Sequence, residues 1–445
     1  MKEEIQLSYH FTTKRLLSFV FPSVTMMLFT STYGMIDGYF VSNFAGETSF
    51  AALNLIWPLI AILGSVGFMF SAGGSALVAK TLGEGNHKLT NSYFSMIVIF
   101  AIIAGLVLSV VGFIFIEDIA KMMGASEEMM PLCLKYGKIL MAGNVAFVVQ
   151  NLFQGFFVTA QKPKYGFYSM LAAGITNIIL DALFIAVFDW GITGAAYATV
   201  IGYIVGATIP LVYFTSKKNI SILKLHFTRI IKAPIIQAGF NGLSEFIGNV
   251  SMSIVSILYN YQLMKYIGEN GVAAYGMIMY VGFFFVAIFI GFSIGASPVI
   301  AFHYGAGNKT EMRNLLKKGM KINICGGFFI LVLTQLIALP ISKLYMGYNV
   351  ELMEYSCHAL RLYSICFLMF GVNIFTSSFF TSLNNGLISA TIATSRSLIF
   401  EAGSVIILPA LIGVNGIWIS ASVGEFAAMI TAISLLLCFR KKYGY

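Results

Sequence analysis

Long apolar runs separated by short polar turns make up almost the whole chain. Leu16 to Val41, Met96 to Phe115 and Cys325 to Leu339 approach or exceed the ~20 residues that a helix needs to cross a hydrocarbon core. Twelve such spans can be read, beginning near residues 15, 50, 92, 131, 165, 192, 233, 272, 319, 354, 386 and 415. Polar positions inside them keep the helical period. Gln237, Asn241, Glu245, Asn249 and Ser253 recur at steps of four, which on one continuous helix makes a single polar stripe that must face protein or water.

The pattern occurs twice. Gly46, Ala51, Ala52, Gly73, Gly85 and Asn86 return as Gly268, Ala273, Ala274, Gly295, Gly307 and Asn308, each 222 residues later. The offset holds at Asn151 and Asn373, at Phe157 and Phe379, and at Gly202 and Gly424, so the connecting loops have kept their lengths. A gapless duplication of membrane spans predicts a two-lobed transporter, with lobes at 1–221 and 222–445. Six spans per lobe is an even number, so both repeats run the same way through the bilayer, related by an axis along its normal.

Composition agrees with an all-α integral membrane protein: 58% of residues are hydrophobic, 10% are charged, and the mean hydropathy is +0.86. Of the 27 Lys and Arg, twenty fall on the side that carries both termini and five on the other, with Arg361 and Arg396 inside spans. Basic residues in short loops stay in the cytoplasm, so both termini and the loop around 217–232 are expected there, in a multi-pass protein of the cell membrane. The first span follows a polar start with Lys2, Glu3 and Glu4 and lacks a small-residue cleavage site, so it is expected to be retained. The net charge of +9 sits at span ends, which argues against nucleic-acid binding. The five cysteines and five histidines show no metal-ligand spacing. Gly291 to Gly295 spells a hydrolase elbow but lies inside a span, and the glycine loops at 83–86 and 305–308 are not followed by Lys-Ser or Lys-Thr in the arrangement of a nucleotide site. No nucleophile, base or metal set converges, so an enzyme is not expected, and no cofactor is implied.

Five of the 18 acidic residues lie within spans: Asp37, Asp181, Glu245, Glu401 and Glu425. A carboxylate at membrane depth costs ~3 kcal/mol or more and is normally turned toward a partner, a cavity or an ion path. Counting from the span ends puts Asp37 and Asp181 at one level, ~8–12 Å below the outer boundary of the same lobe. Asn177 is one helical turn from Asp181, and Thr199 lies at a similar depth in the next span. Two carboxylates, an amide oxygen and a hydroxyl suit a sodium ion or shared protons. Adding 222 to these positions gives Tyr259, Ile399, Gly403 and Ala421, so the second lobe has no copy of the set. The second lobe has polar candidates of its own for substrate or cation: Glu245 with Asn241 and Asn249, Glu401 five residues from Arg396, and Glu425 with no partner evident in the sequence. Pro22 interrupts the hydrogen bonds of span 1, as a hinge or as a passive kink. The 40 Phe and 22 Met mostly serve packing, with a minority suited to line a cavity for hydrophobic cations.

With these residues in view, the chain resembles the multidrug and toxic compound extrusion (MATE) family over essentially its whole length. The likeness is carried by Pro22 with Met35-Ile36-Asp37-Gly38, by Gly46 with Ala51 and Ala52, by Gly73 to Ala79 leading into Leu82 to Asn86, and by Gln154 with Phe156 and Phe157. The resemblance implies two six-helix lobes forming a V around a central cavity, and alternating access. It also implies antiport of Na+ or H+ against toxic organic cations and other amphipathic drugs. Asp37, Asn177, Asp181 and Thr199 match the cation-binding positions of archaeal and DinF-like members, and Glu245 the acidic position in span 7 of NorM-like members. Span 10 departs from the NorM-like pattern, since Arg361 to Thr381 contains no acid, which favours the N-terminal lobe as the coupling site. The expected state is a monomer. The alternative within the same superfamily is a flippase for lipid-linked precursors, whose cavity would hold cationic residues for pyrophosphate.

Overall fold

The computed structural model describes residues 5–347 and 349–445, so Lys2, Glu3 and Glu4 lie outside the described residues. Among these, every regular element is helical. Eleven helices are long and apolar enough to cross a membrane: α1 (Thr13–Ala45), α2 (Thr48–Gly83), α3 (His87–Met122), α4 (Met130–Thr159), α5 (Pro163–Val187), α6 (Gly191–Thr215), α8 (Glu269–Gly305), α9 (Lys309–Met346), α10 (Val350–Ser382), α11 (Gly386–Ile412) and α12 (Val414–Tyr443). The twelfth span, α7, is a bent pair, Lys232–Asn241 and Leu243–Tyr266, broken by 45°. The chain is thus an all-α, twelve-span, two-lobed, V-shaped membrane protein.

Helix α9 begins ten residues before the apolar run expected near 319, and α3 five before the run expected near 92. Both extensions are richer in polar residues than the runs they precede, the one on α9 burying Met312 and Leu315 in the lobe junction, and each has its own cap. Asn86 accepts a hydrogen bond from Leu89 N, and its repeat Asn308 accepts one from Glu311 N, both at 3.0 Å. The repeat is visible in the backbone as well. Gly46 and Gly268 (φ 90° and 82°), Gly85 and Gly307 (80° and 68°), and Gly191 and Gly413 (54° and 66°) all take left-handed conformations at equivalent loops.

One core fills the first lobe around Ile56, Leu140, Phe153 and Phe214. Another fills the second lobe around Ile278, Phe367, Val405 and Trp418. A third joins the lobes at the end that carries the termini, through Phe11, Val20, Phe292, Ile300 and Phe379. The junction is two-fold symmetric. Gly83 of α2 meets Phe302 of α8 as Gly305 meets Lys80, and Gly73 meets Gly242 of α7 as Gly295 meets Val20 of α1. Each contact maps on its counterpart by 222 residues, and a Cβ at any of these glycines would collide with the facing helix. Close backbone approach of this kind is how membrane helices pack without large side chains. Beyond the junction the lobes part. The buried residues of the α-helical part of α1 stop at Met26, and Tyr39 near its far end is exposed. The V therefore opens away from the termini.

Two crossing straps reinforce the closed end. The segment before α1 lies on the second lobe: His10 Nδ1 is 2.6 Å from Glu311 Oε2, Phe11 N donates to Glu311 Oε1 at 2.9 Å, and Asn314 donates to Phe11 O at 3.1 Å. The segment before α7 lies on the first lobe: Lys224 N donates to Asn91 Oδ1 at 2.6 Å, Asn91 donates to Ile222 O at 3.3 Å, and His226 N donates to Ser95 Oγ at 3.1 Å.

Candidate functional site

Asp37 on α1, Asn177 and Asp181 on α5 and Thr199 on α6 converge inside the first lobe, on the open side of the junction. Asp181, Asn177 and Thr199 are at most 7% exposed, and the carboxyls of Asp37 and Asp181 lie within hydrogen-bonding reach of each other. Even so, Asp37 Oδ1, both oxygens of Asp181, Asn177 Oδ1 and Thr199 Oγ1 are buried with no well-formed protein hydrogen bond. Five orphaned oxygens around two adjoining carboxyls are costly in the absence of a positive charge or a proton. A small monovalent cation or a proton shared between the acids fits this set. A multivalent metal fits it less well, because no group of three or more His, Cys, Asp or Glu gathers anywhere among the described residues.

The backbone helps to aim these acids. Helix α5 turns from α-helical to π-helical directly after Asp181, over Ala182–Val187, and α1 does the same over Val41–Ala45. Such π-turns offset the faces of a helix and recur at functional sites. Tyr33 and Tyr203 line one small cavity with Asn177 and Thr199, and Tyr136 lies near enough to feel the charge of both acids. Sequence reasoning passed over them, although Tyr33 lies one turn before Asp37 and Tyr203 one turn after Thr199, a spacing that shares a helix face. Pro22 is buried in an α1 that stays helical through it.

The second lobe gathers a different cluster. Arg396 Nε lies 2.9 Å from Glu425 Oε1, an ion pair whose angles fall outside those of a directed hydrogen bond. Asn373 donates to Glu425 Oε2 at 2.6 Å and to its carbonyl at 2.9 Å, and the Arg396 guanidinium stands 4.6 Å over the Phe370 ring. Glu425 therefore has partners, and Arg396 pairs across to α12 rather than with Glu401 on its own helix. Helix α11 is π-helical over Ser395–Glu401, so the local spacing is not that of a plain α-helix. Glu245 and Glu401 lie near enough to feel the charge of the same arginine.

The polar stripe on α7 is not continuous. The helix breaks at Gly242, where the backbone meets Met69 and Gly73 of α2 too closely for a Cβ. Asn241 falls on the junction side of the break and donates to Thr381 O at 2.9 Å and to Gly73 O at 3.4 Å. Glu245 and Asn249 lie on the other side, where Asn249 donates to the Glu245 carbonyl at 2.8 Å.

A parallel-repeat, twelve-span, V-shaped protein with in-membrane carboxyls in each lobe belongs to the class of secondary transporters. Comparison with known proteins narrows the class. The MatE family pattern matches residues 22–183 and again 246–407, once in each lobe. The chain belongs to this family and is a membrane transporter, not an enzyme. It is 23% identical to the multidrug export protein MepA of Staphylococcus aureus over 433 residues, covering 96% of this chain and 94% of the relative. It is 26% identical to the protein of the same name from Staphylococcus saprophyticus over 304 residues, 68% of this chain and 67% of that one. A structure described as the outward-facing conformation of a multidrug resistance MATE family transporter superposes with a TM-score of 0.91, at 22% identity, over 100% of this chain and 98% of that one.

Proposed function

We propose that this protein exports organic cations and amphipathic drugs across the cell membrane by antiport with Na+ or H+. Both termini and the crossing straps then face the cytoplasm, and the V opens outward. The coupling cation binds at Asp37, Asn177, Asp181 and Thr199. The observation that carries this reading is the orphaned oxygen set in the first lobe, whose counterparts Tyr259, Ile399, Gly403 and Ala421 do not form one. Symmetry accounts for packing residues in both lobes, so the residues that break it are the better functional candidates.

In this cycle, inward movement of the cation neutralises Asp37 and Asp181, α1 changes shape around Pro22, and drug leaves outward. One charge crossing 100 mV supplies ~2.3 kcal/mol, or roughly fifty-fold accumulation at one-to-one coupling. Glu245, Asn249, Glu401 and Glu425 form a second polar site that faces substrate, while Asn241, engaged by Thr381 and Gly73, holds the junction. The lobes 1–221 and 222–445 move as units in a monomer, and no cofactor takes part. The flippase reading is the weaker one. Arg396 is occupied by Glu425 and so is poorly placed to hold a pyrophosphate.

The test is drug uptake into reconstituted vesicles under a sodium gradient and, separately, a proton gradient, with Asp37→Asn alongside. Uptake driven by one gradient and abolished in the variant supports the reading. An active Asp37→Asn protein, or indifference to both gradients, overturns it.

A further inference from the structure

Below the Asp37 site, away from the open mouth of the V, the first lobe carries a series of buried hydrogen-bonding side chains set among apolar ones. Two small cavities lie end to end there and share one wall. The upper is lined by Tyr33, Asn177, Thr199 and Gln150 together with Ala173 and Tyr203, the lower by Gln150, Gln154 and Ser169 together with Phe153, Phe157 and Met170. Gln150 is the polar side chain common to both. It is 5% exposed, its Oε1 is buried with no partner, and its Nε2 rests 2.9 Å from the sulfur of Met170, a weak acceptor. The next polar groups are partly used: Gln154, 4% exposed, donates to Asn151 Oδ1 at 3.1 Å, which leaves Gln154 Oε1 and Asn151 Nδ2 unpaired.

The rise of ~1.5 Å per residue orders these groups by depth above the closed end of the lobe. Counting from Pro163, Asp181 stands about 27 Å up, Asn177 about 21 Å and Ser169 about 9 Å. Counting back from Thr159, Gln150 stands about 13 Å up and Gln154 about 8 Å. They form a ladder from the coupling site toward the end that bears the termini.

Space is reserved for the middle rung. A Cβ at Gly206 would stand 2.7 Å from the Gln150 amide carbon, so the glycine clears room for that side chain. In the second lobe the counterparts of Gln150 and Gly206 are Val372 and Ala428, both apolar. The fold needs no glutamine there, and burying an amide without a full set of partners costs about 1–3 kcal/mol.

We propose that Gln150 relays the coupling cation, sodium or a hydrated proton, from the Asp37–Asp181 site through the interior of the first lobe toward the cytoplasmic end, on a path separate from the drug cavity. This rests on the coupling role of Asp37 and Asp181 given above. Gln150 Oε1 offers the oxygen that bridges the upper and lower cavities, and Gln154 and Ser169 receive the ion below. Ion and drug then use different routes.

Two transport modes separate this role from a structural one. Drug–drug exchange without an ion gradient needs no net ion passage, whereas gradient-driven accumulation does. Gln150→Leu is expected to keep exchange within about twofold of the parent and to lower driven accumulation at least tenfold. Gln150→Asn, which retains an amide oxygen, should recover most of the loss, and Gly206→Ala, which crowds the same amide, should reproduce it. If Gln150→Leu folds poorly, Gly206→Ala carries the test alone, since the added methyl meets first the movable side chain of Gln150 and no backbone atom among its nearest neighbours. Normal driven accumulation in both variants, or equal loss of exchange and accumulation, overturns the proposal. Asp37→Asn measured in parallel keeps the two readings apart. If it abolishes driven accumulation while Gln150→Leu and Gly206→Ala do not, the relay alone fails. If Asp37→Asn is itself active, the coupling site fails first.

Discussion

Replacing Arg396 by methionine should be among the most damaging single changes in the second lobe, and the damage should be reversible by a second change. Glu425 is 1% exposed, and its charge is met only by Arg396 at 2.9 Å and by the Asn373 amide at 2.6 Å. Removing one partner of a buried ion pair typically costs 3–5 kcal/mol, because the remaining charge stays desolvated, while replacing both by apolar or neutral groups is often close to neutral. Arg396 keeps 19% of its side chain exposed, which moves the expected cost to the lower end, about 3 kcal/mol. The stacking on Phe370 contributes a further ~0.5–1 kcal/mol, most of which methionine retains through its own contact with the ring. Arg396→Met, Glu425→Gln and the double variant, unfolded by denaturant in mixed micelles, complete a double-mutant cycle. The double variant should lie within about 1.5 kcal/mol of the parent. A cost below about 1 kcal/mol for Arg396→Met, or costs that simply add in the double variant, would refute the reasoning.

Glu311→Ala removes the acceptor of His10 Nδ1, Phe11 N and Asn314 Nδ2 at once. It should destabilise the protein by about 2–3 kcal/mol, and limited proteolysis should cut sooner near residues 5–12. Gly291→Ala places a methyl 2.5 Å from the Val24 Cα at the lobe junction. Overpacking of this kind costs about 1–3 kcal/mol and should lower the melting temperature. Gly276→Ala on the same helix has open space around its Cβ and should leave stability unchanged or raised.

Hydropathy made the twelve spans legible, and the 222-residue offset made the two lobes legible, because both follow from the thickness of the bilayer and from duplication. Depth counting along α1 and α5 placed Asp37 and Asp181 at one level, and the structure brings their carboxyls together. Features that depend on packing between distant elements were hidden. The stripe from Gln237 to Ser253 keeps its period of four through Gly242, so nothing local marks the break that the approach of α2 imposes. Arg396 lies five residues from Glu401 and 29 from Glu425, so sequence spacing points to the nearer acid, whereas the facing helix α12 supplies the partner. The straps consist of ordinary polar residues whose docking surfaces, Glu311 and Asn91, lie far along the chain. Helices α3 and α9 start earlier than their apolar runs because hydropathy registers only the apolar part, whereas the helix continues as far as its asparagine cap.

The central claim is that one cation binds in the first lobe and nowhere else. Equilibrium binding of sodium, and proton release on drug addition, measured on purified protein in detergent, test it most directly. The account predicts one cation per chain for whichever ion couples, lost in Asp37→Asn and Asp181→Asn and retained in Glu245→Gln and Glu401→Gln. Binding that survives both aspartate changes and disappears with Glu245 or Glu401 would contradict it.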